Sequence, residues 1–268
     1  MPPGETGTVY LVGAGPGAPD LLTLRAAGLL AQADIVFHDA LVHPDTVALA
    51  ACAITVPVGK RCGQLSSAQR FINKRLVDAA REHRVVVRLK GGDPMLFGRA
   101  QEEIDALRDA GIAFEVVPGV TAALASAAEL ETSLTRRACG DEAGSRSVVF
   151  VTPRLGTDAP STATLEAGRW IDAVNAADTA VLYMASRDAD RIAAALIADG
   201  RDAATPVAIV ESASLPAART ALTTLGALAR DGLSPSAGPA TLIVGEAMRK
   251  AALSTAVAAP HQERCRAA

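Results

Sequence analysis

The chain contains 268 residues, half of them hydrophobic, and has a formal net charge of −3. A chain of this length forms one large or two medium domains, and its acidic balance disfavours a general nucleic-acid binder, which needs a surplus of basic residues. The apolar runs are much shorter than the roughly 20 residues that span a bilayer, the N-terminus lacks a signal region, and the cysteines have no paired spacing. We therefore predict a globular cytoplasmic protein with no membrane or nucleic-acid partner, disulfide framework or zinc site.

The first predicted strand, Thr8 to Val12, runs directly into a glycine-rich loop, Gly13 to Asp20. A leucine-rich helix follows, with Asp20 as its expected N-cap, and the next strand ends at Asp39. This order nearly matches a dinucleotide-binding fingerprint. However, Pro16 has no N–H group, and it lies in the loop whose amides would hold a pyrophosphate. The fingerprint makes a nicotinamide-dependent oxidoreductase that uses this loop the alternative hypothesis, and Pro16 disfavours it.

A second glycine loop, Gly91 to Arg99, follows the apolar strand Val85 to Leu89. A β-branched run that ends in two glycines is typical of a buried strand whose carboxyl end approaches a ligand. Gly91 and Gly92 lack the Cβ atoms that would block this approach, and Asp93 supplies a hydrogen-bond acceptor. The loop predicts a ligand site, although an ordinary strand-to-helix turn uses the same residue types.

Strands and helices alternate as far as residue 130. A short strand leads into Val58 to Arg61, and a helix is predicted over residues 67–81, with Gln69 on its polar outer face. A further strand ends at the loop 118–123, after which an alanine-rich helix runs to about Leu130. This alternation predicts an open, largely parallel α/β sheet.

The second half of the chain contains further strands and helices. The periodicity fails over residues 131–145, which we interpret as a linker. We therefore predict an N-terminal α/β domain over residues 1–138 and a C-terminal α/β domain with mixed strand directions over residues 139–268. The tail beyond about residue 251 is expected to fray. Strands of the second domain are predicted at residues 147–152, 179–184, 206–211, 219–224 and 240–244.

A set of motifs resembles those of the tetrapyrrole methylases, and among them the uroporphyrinogen-III C-methyltransferases. The motifs are Val12-Gly-Ala-Gly-Pro-Gly17, His38-Asp-Ala-Leu-Val42, Val58-Gly-Lys-Arg61, Arg88-Leu-Lys-Gly-Gly-Asp-Pro94 with Phe97-Gly-Arg99, Val117-Pro-Gly-Val-Thr-Ala122 and Leu182-Tyr-Met184. The resemblance extends from Val9 to about Met248. It implies a homodimer of two-domain subunits, each with S-adenosylmethionine in the cleft between its domains. The implied reaction methylates uroporphyrinogen III twice, giving precorrin-1 and then precorrin-2.

The resemblance also implies roles for particular residues. Asp39 would accept a proton and Lys60 would donate one. S-adenosylmethionine is already an activated methyl donor, so the reaction requires positioning and a proton acceptor rather than a metal. The nearby His38 and His43 are more typical of hydrogen-bonded loop residues than of a metal site. The implied cofactor-binding residues are Pro16, Gly91, Gly92, Asp93, Leu96, Thr121, Ala122, Met184 and Ala213.

The tetrapyrrole substrate is rich in carboxylates, and arginine side chains bind carboxylates through two parallel hydrogen bonds. We expect a basic rim around the cleft, although exposed arginines often form only weak ion pairs. The predicted rim residues are Arg61, Arg99, Arg136, Arg137 and Arg154. The chain departs from the family pattern on this substrate side, at His38, Arg136 and Ala100-Gln101. A non-catalytic adenosyl-binding regulator is a third hypothesis, which the presence of Asp39 and Lys60 disfavours.

Overall fold

The structure is a computed structural model, and it describes residues 6–58, 67–138, 144–153, 169–234 and 238–251. Within these ranges the chain forms two five-stranded sheets, one in each half of the sequence. The longest described helix has 16 residues, and no helix in these ranges is both long enough and apolar enough to cross a membrane.

The first sheet is entirely parallel, with the strand order β3-β2-β4-β1-β5. Its strands are β1 (Thr8–Gly13), β2 (Ile35–His38), β3 (Ile54–Pro57), β4 (Val85–Lys90) and β5 (Ala113–Val117). The helices between them are α1 (Leu24–Gln32), α2 (Pro44–Ala48), α3 (Ser67–Glu82) and α4 (Ala100–Asp109). Because all five strands run in one direction, the loops that follow them lie along the same edge of the sheet. The predicted open parallel sheet is confirmed.

The central strand β4 is buried on both faces, as expected for a parallel sheet with helices on either side. Val86 on one face lies in a core cluster with residues of α3 and α4. Val87 and Leu89 on the other face lie in a cluster with residues of α1. Arg88 and Lys90 share a face with Val86, so two cations lie within an otherwise apolar strand.

The second sheet is mixed, with the order β6-β7-β10-β8-β9, and only its β6–β7 pair is parallel. Its strands are β6 (Val148–Val151), β7 (Thr179–Leu182), β8 (Pro206–Glu211), β9 (Arg219–Thr224) and β10 (Ala240–Gly245). Helix α5 (Ala122–Glu129) packs against this sheet through small residues such as Ala123 and Ala125. The remaining helices are α6 (Arg169–Ala176), α7 (Ala189–Ala198) and α8 (Leu225–Asp231). The predicted mixed sheet is confirmed, whereas the domain boundary at residues 138 and 139 stays a prediction.

Two local predictions are wrong. Asp20 lies in a 3₁₀ turn and does not cap α1; the helix begins at Leu24, and the Thr23 hydroxyl accepts a hydrogen bond from Ala26 N at 3.2 Å. Leu24 is 94% exposed, which leucine periodicity did not indicate. Gln69 faces inward and is only 7% exposed, because its side chain donates to the buried carboxylate of Glu103.

Candidate active site

The loops that follow β1, β4 and β5 meet through glycine backbones. Gly15 and Gly92 exchange two hydrogen bonds, with N···O distances of 3.2 and 2.7 Å. A Cβ atom on Gly119 would lie 2.3 Å from the Gly92 carbonyl oxygen, and one on Gly13 would lie 2.6 Å from the Gly119 Cα. No side chain fits at Gly13 or Gly119, so close approach requires glycine at these two positions, whereas the positive φ angles of Gly15 and Gly92 favour glycine by conformation.

Gly92 differs from Gly13 and Gly119 because its outer side is open. Its φ of +68° is in the left-handed region, and the nearest atom to a Cβ placed there would be the Thr121 Cα at 4.0 Å. Asp93 then fixes the loop: its Oδ1 accepts from Met95 N at 2.8 Å and its Oδ2 accepts from Gly119 N at 3.0 Å. Each carboxylate oxygen keeps a second lone pair, which suits a ribose hydroxyl.

Tyr183, immediately after β7, joins the second sheet to this cluster of loops. Its hydroxyl lies 2.5 Å from Thr121 Oγ1 and accepts from Ala123 N at 3.1 Å, and its ring centroid is 5.2 Å from that of Phe97. Burial raises the pKa of Tyr183, although the hydrogen bonds from Thr121 and Ala123 oppose this shift. The next residue, Met184, is 49% exposed, so its thioether offers a soft apolar surface to a ligand.

The loop after β8 packs against the first glycine loop. Ser214 Oγ accepts from Ala18 N at 3.0 Å, and Ser214 N donates to Glu129 Oε1 at 2.8 Å. A Cβ atom on Gly17 would lie 2.8 Å from Leu215 Cγ. These contacts bring Ala213 towards Pro16, so cofactor residues predicted from opposite halves of the chain converge.

Several non-glycine residues on these loops have a strained backbone. Positive φ angles of 50 to 70° occur at Phe97, Arg99, Met184, Ser212 and Ser214. Each such residue costs on the order of 1–3 kcal/mol and persists only where its surroundings fix it, which is common in ligand sites.

Asp39 follows β2 and lies beside the Gly91 loop. Its backbone N donates to Leu89 O at 3.2 Å, and the Leu41 Cβ is 3.5 Å from the position of a Cβ on Gly91. The Asp39 side chain is 30% exposed and forms an ion pair with Arg88, with an N···O distance of 2.5 Å. The predicted proton acceptor is therefore partly accessible and adjacent to the Gly91 loop.

Arg88 belongs to a buried network of charges. Its Nε donates to Glu103 at 3.0 Å, and Lys90 Nζ donates to both Glu103 oxygens at 3.0 and 2.9 Å. Burial alone would lower the pKa of Arg88, but the carboxylates of Glu103 and Asp39 outweigh it and raise that pKa. Burial lowers the pKa of Lys90, as does the neighbouring Arg88 cation, against the opposing effect of Glu103.

The five arginines predicted to form the basic rim have different surroundings. Arg99 is half exposed and donates two hydrogen bonds to Glu102, at 2.7 and 2.8 Å; this pairing lowers the pKa of Glu102. Arg137 is exposed. Arg136 lines a cavity of about 270 Å³ near Asp178, at the end of β7 opposite Met184. Lys60, Arg61 and Arg154 lie outside the described residues.

The histidines near Asp39 form local hydrogen bonds. His43 Nδ1 accepts from Asp45 N at 3.3 Å and caps α2, and His38 Nδ1 lies 3.3 Å from the Asp39 carbonyl oxygen. Among the residues that the structure describes, no three histidine, cysteine or acidic side chains are grouped so that they could hold a metal ion.

The first glycine loop uses its amides within the protein. Ala14 N donates to Lys90 O at 2.7 Å, Gly15 N donates to Gly92 O, and Ala18 N donates to Ser214 Oγ. Pro16 has no amide hydrogen. These three amides are therefore committed to protein acceptors rather than aimed at a pyrophosphate, and the nicotinamide alternative has no support in the geometry.

Comparisons with known proteins agree with this arrangement. The family model described as "Tetrapyrrole (Corrin/Porphyrin) Methylases" matches residues 8–229. The siroheme synthase of Psychrobacter sp. strain PRwf-1 is 44% identical over 246 residues, covering 91% of this chain and 48% of that protein. The siroheme synthase of Azotobacter vinelandii is 45% identical over 252 residues, covering 92% and 51%. The chain thus spans about half the length of these curated relatives.

Solved structures show the same likeness. Uroporphyrin-III C-methyl transferase from Thermus thermophilus, complexed with S-adenosylhomocysteine, has a TM-score of 0.75 and 38% identity, covering 91% of this chain and 99% of that one. Cobalt precorrin-4 methyltransferase has a TM-score of 0.72 and 29% identity, with 90% and 95% covered.

The fold and these matches establish that the chain belongs to the tetrapyrrole methylase family. The family model's description names methylases, and the similar Thermus thermophilus enzyme was crystallised with S-adenosylhomocysteine, the product that S-adenosylmethionine leaves after methyl transfer. The residues present fit this cofactor: an open glycine backbone at Gly92, a carboxylate with spare lone pairs at Asp93 and an exposed thioether at Met184 form a suitable surface for it.

Residues that sequence reasoning missed hold the site together. Tyr183 and Ser214 link the two halves, and Glu103 joins the buried cations. The sequence contained one indication of this network, because Arg88 and Lys90 alternate with apolar residues in a buried strand and therefore need a buried counter-charge. Nothing in the pattern around Ser214 indicated its contact with Ala18.

We predict that Gly119→Ala weakens S-adenosylhomocysteine binding by about 10- to 100-fold, because the added methyl group must displace the Gly92 loop and overpacking costs about 1–3 kcal/mol. Calorimetry measures the affinity. Gly28→Ala is the matched control: Gly28 lies within α1 with no atom near its Cβ position, so this change should preserve binding and raise the melting temperature. Unchanged affinity in Gly119→Ala would show that the close approach does not shape the site.

Proposed function

We propose that this protein methylates uroporphyrinogen III at two ring carbons, giving precorrin-2 through precorrin-1. The observation that carries the proposal is the position of Asp39, a partly exposed carboxylate beside the glycine loops that fit the methyl donor. The names of the relatives support the same substrate class, since one is a uroporphyrin-III C-methyl transferase and others are siroheme synthases.

Different residues would bind the methyl donor and transfer protons. S-adenosylmethionine, when bound, supplies a methyl group activated by a sulfonium centre. Pro16, Gly92 and Asp93 would hold the donor on one side, with Met184 and Ala213 on the other, so that the methyl group faces the ring. Asp39 would accept the proton that the methylated ring releases, and Lys60 would donate a proton to the tetrapyrrole.

Further features of the working enzyme are part of the proposal. We infer a cytoplasmic homodimer whose subunits divide into domains at residues 138 and 139, with no nucleic-acid partner. Exposed apolar side chains are consistent with an additional subunit contact. They include Leu24, Leu41, Met95 and Leu124, which are between 55% and 94% exposed.

The substrate assignment is tested by anaerobic incubation of the protein with uroporphyrinogen III and S-adenosylmethionine, followed by mass analysis. We expect products that carry one and then two added methyl groups, with S-adenosylhomocysteine released in matching amounts. A protein that binds S-adenosylhomocysteine but transfers no methyl group to uroporphyrinogen III would contradict this substrate.

Asp39→Asn should lower turnover by about 10²-fold or more, because the amide cannot accept the proton. Donor affinity should stay close to that of the parent, since the cofactor loops do not depend on the Asp39 charge. Single-turnover kinetics and calorimetry measure the two quantities separately. Near-normal turnover would remove Asp39 from the mechanism.

Arg99→Ala should raise the KM for uroporphyrinogen III by about tenfold, the size of one lost charge-assisted hydrogen bond, and spare the affinity for S-adenosylmethionine. Higher salt should also weaken substrate binding in the parent. Arg108→Ala is the matched control, because Arg108 is also an exposed arginine paired with a carboxylate three residues away on α4. Equal KM values for both variants and the parent would exclude Arg99 from the substrate rim.

A further inference from the structure

The carboxylate of Asp39 is the exposed end of a buried chain of charges. It contacts Arg88, which contacts Glu103, which in turn contacts Lys90. The Arg88 side chain is 2% exposed and that of Glu103 is fully buried, whereas that of Asp39 is 30% exposed. The two cations balance the two anions, so the network is formally neutral and reaches the site only at Asp39.

Arg88 is held more firmly than a simple ion pair requires. Its Nε donates to Glu103, one terminal nitrogen donates to Leu89 O at 3.1 Å, and the other donates to Asp39 Oδ1. Since the guanidinium group is rigid and planar, the first two contacts fix the direction of the third.

Strand pairing fixes the other end of the contact. Arg88 lies directly across from Phe37 in the β2–β4 register, and Asp39 N donates to Leu89 O. Both the backbone and the side chain of Asp39 are therefore held by β4, the strand that leads into the Gly91 loop.

We propose that Arg88 is a positioning residue for methyl transfer: it holds the Asp39 carboxylate at the distance and angle at which that carboxylate accepts the proton of the methylated ring. Glu103 orients Arg88, and Lys90 completes the charge balance. This inference rests on the proposed role of Asp39. It predicts that the geometry of the Asp39 carboxylate, as well as its charge, determines turnover.

Arg88→Lys keeps the charge but loses the fork that reaches Glu103 and Asp39 together. We expect kcat to fall at least about tenfold, while the dissociation constant of S-adenosylhomocysteine changes less than about threefold. The control is Arg201→Lys. Arg201 is a partly buried arginine that donates to the Val174, Asn175 and Ala177 carbonyls, away from Asp39. The Arg201→Lys variant should have a lower melting temperature than the parent but the same kcat.

A double-mutant cycle separates positioning from an independent effect. If Arg88 acts through Asp39, then Arg88→Lys should cause no further loss of kcat in the Asp39→Asn background. If the loss of kcat in the double variant equals the product of the losses in the two single variants, the proposal is overturned. A normal kcat in the single variant Arg88→Lys would also overturn it. If Asp39→Asn keeps normal turnover, Asp39 is not the proton acceptor and the inference about Arg88 fails with it. If Asp39→Asn loses turnover but Arg88→Lys does not, the inference about Arg88 is contradicted while the role of Asp39 stands.

Asp39→Glu tests the same idea without disturbing the buried groups, and it decides the matter if Arg88→Lys does not fold. It keeps a carboxylate but moves it by one methylene group. We expect a kcat at least about tenfold lower, with the melting temperature and S-adenosylhomocysteine affinity of the parent. Parent-like turnover in Asp39→Glu would show that the carboxylate needs no fixed position.

Discussion

The fully buried carboxylate of Glu103, between Arg88 and Lys90, is the interaction on which the site depends. It joins α4 to β4 across the base of the Gly91 to Arg99 loop, because Lys90 precedes that loop and Glu103 lies in the first turn after it. Removing one partner from such a buried pair typically costs about 3–5 kcal/mol, although replacing the whole network by apolar residues could be neutral. The main effect of the network is therefore to fix the positions of Arg88 and Asp39 rather than to stabilise the fold.

A second constraint joins the two halves of the chain. The Tyr183 hydroxyl binds at the beginning of α5, and Ser214 binds the first glycine loop. Without these contacts, the loops of the parallel sheet would present glycine backbone and Asp93 but no apolar wall. The contacts join the chain segments that carry Met184 and Ala213 to those loops, so in the proposed site each sheet would supply one side of the surface for the cofactor. The strained backbone at Met184 and Ser214 is consistent with loops whose shape is set by function.

The sequence predicted most of the fold because alternating apolar strands and helices leave few arrangements other than a parallel sheet. It also located the glycine loops, since the absence of side chains is visible in the sequence. It placed Asp20 as the N-cap of α1 because aspartate is a common cap, whereas Thr23, three residues later, has that role. It placed Gln69 on an outer face because a polar residue was assumed to face solvent. The contacts of Tyr183, Ser214 and Glu103 join residues distant in the chain, so no local pattern contains them. The role of Asp39 came from family resemblance; the structure adds the buried arginine behind it.

The most direct test of the account is a crystal structure of this protein with S-adenosylhomocysteine. We expect the ligand between the loops of the two sheets, with its adenosyl group against the Gly92 backbone and Met184, a ribose hydroxyl on Asp93, and its sulfur on the side that faces Asp39. A ligand bound away from these loops, or one whose sulfur is turned from Asp39, would contradict both the cofactor site and the direction of methyl transfer.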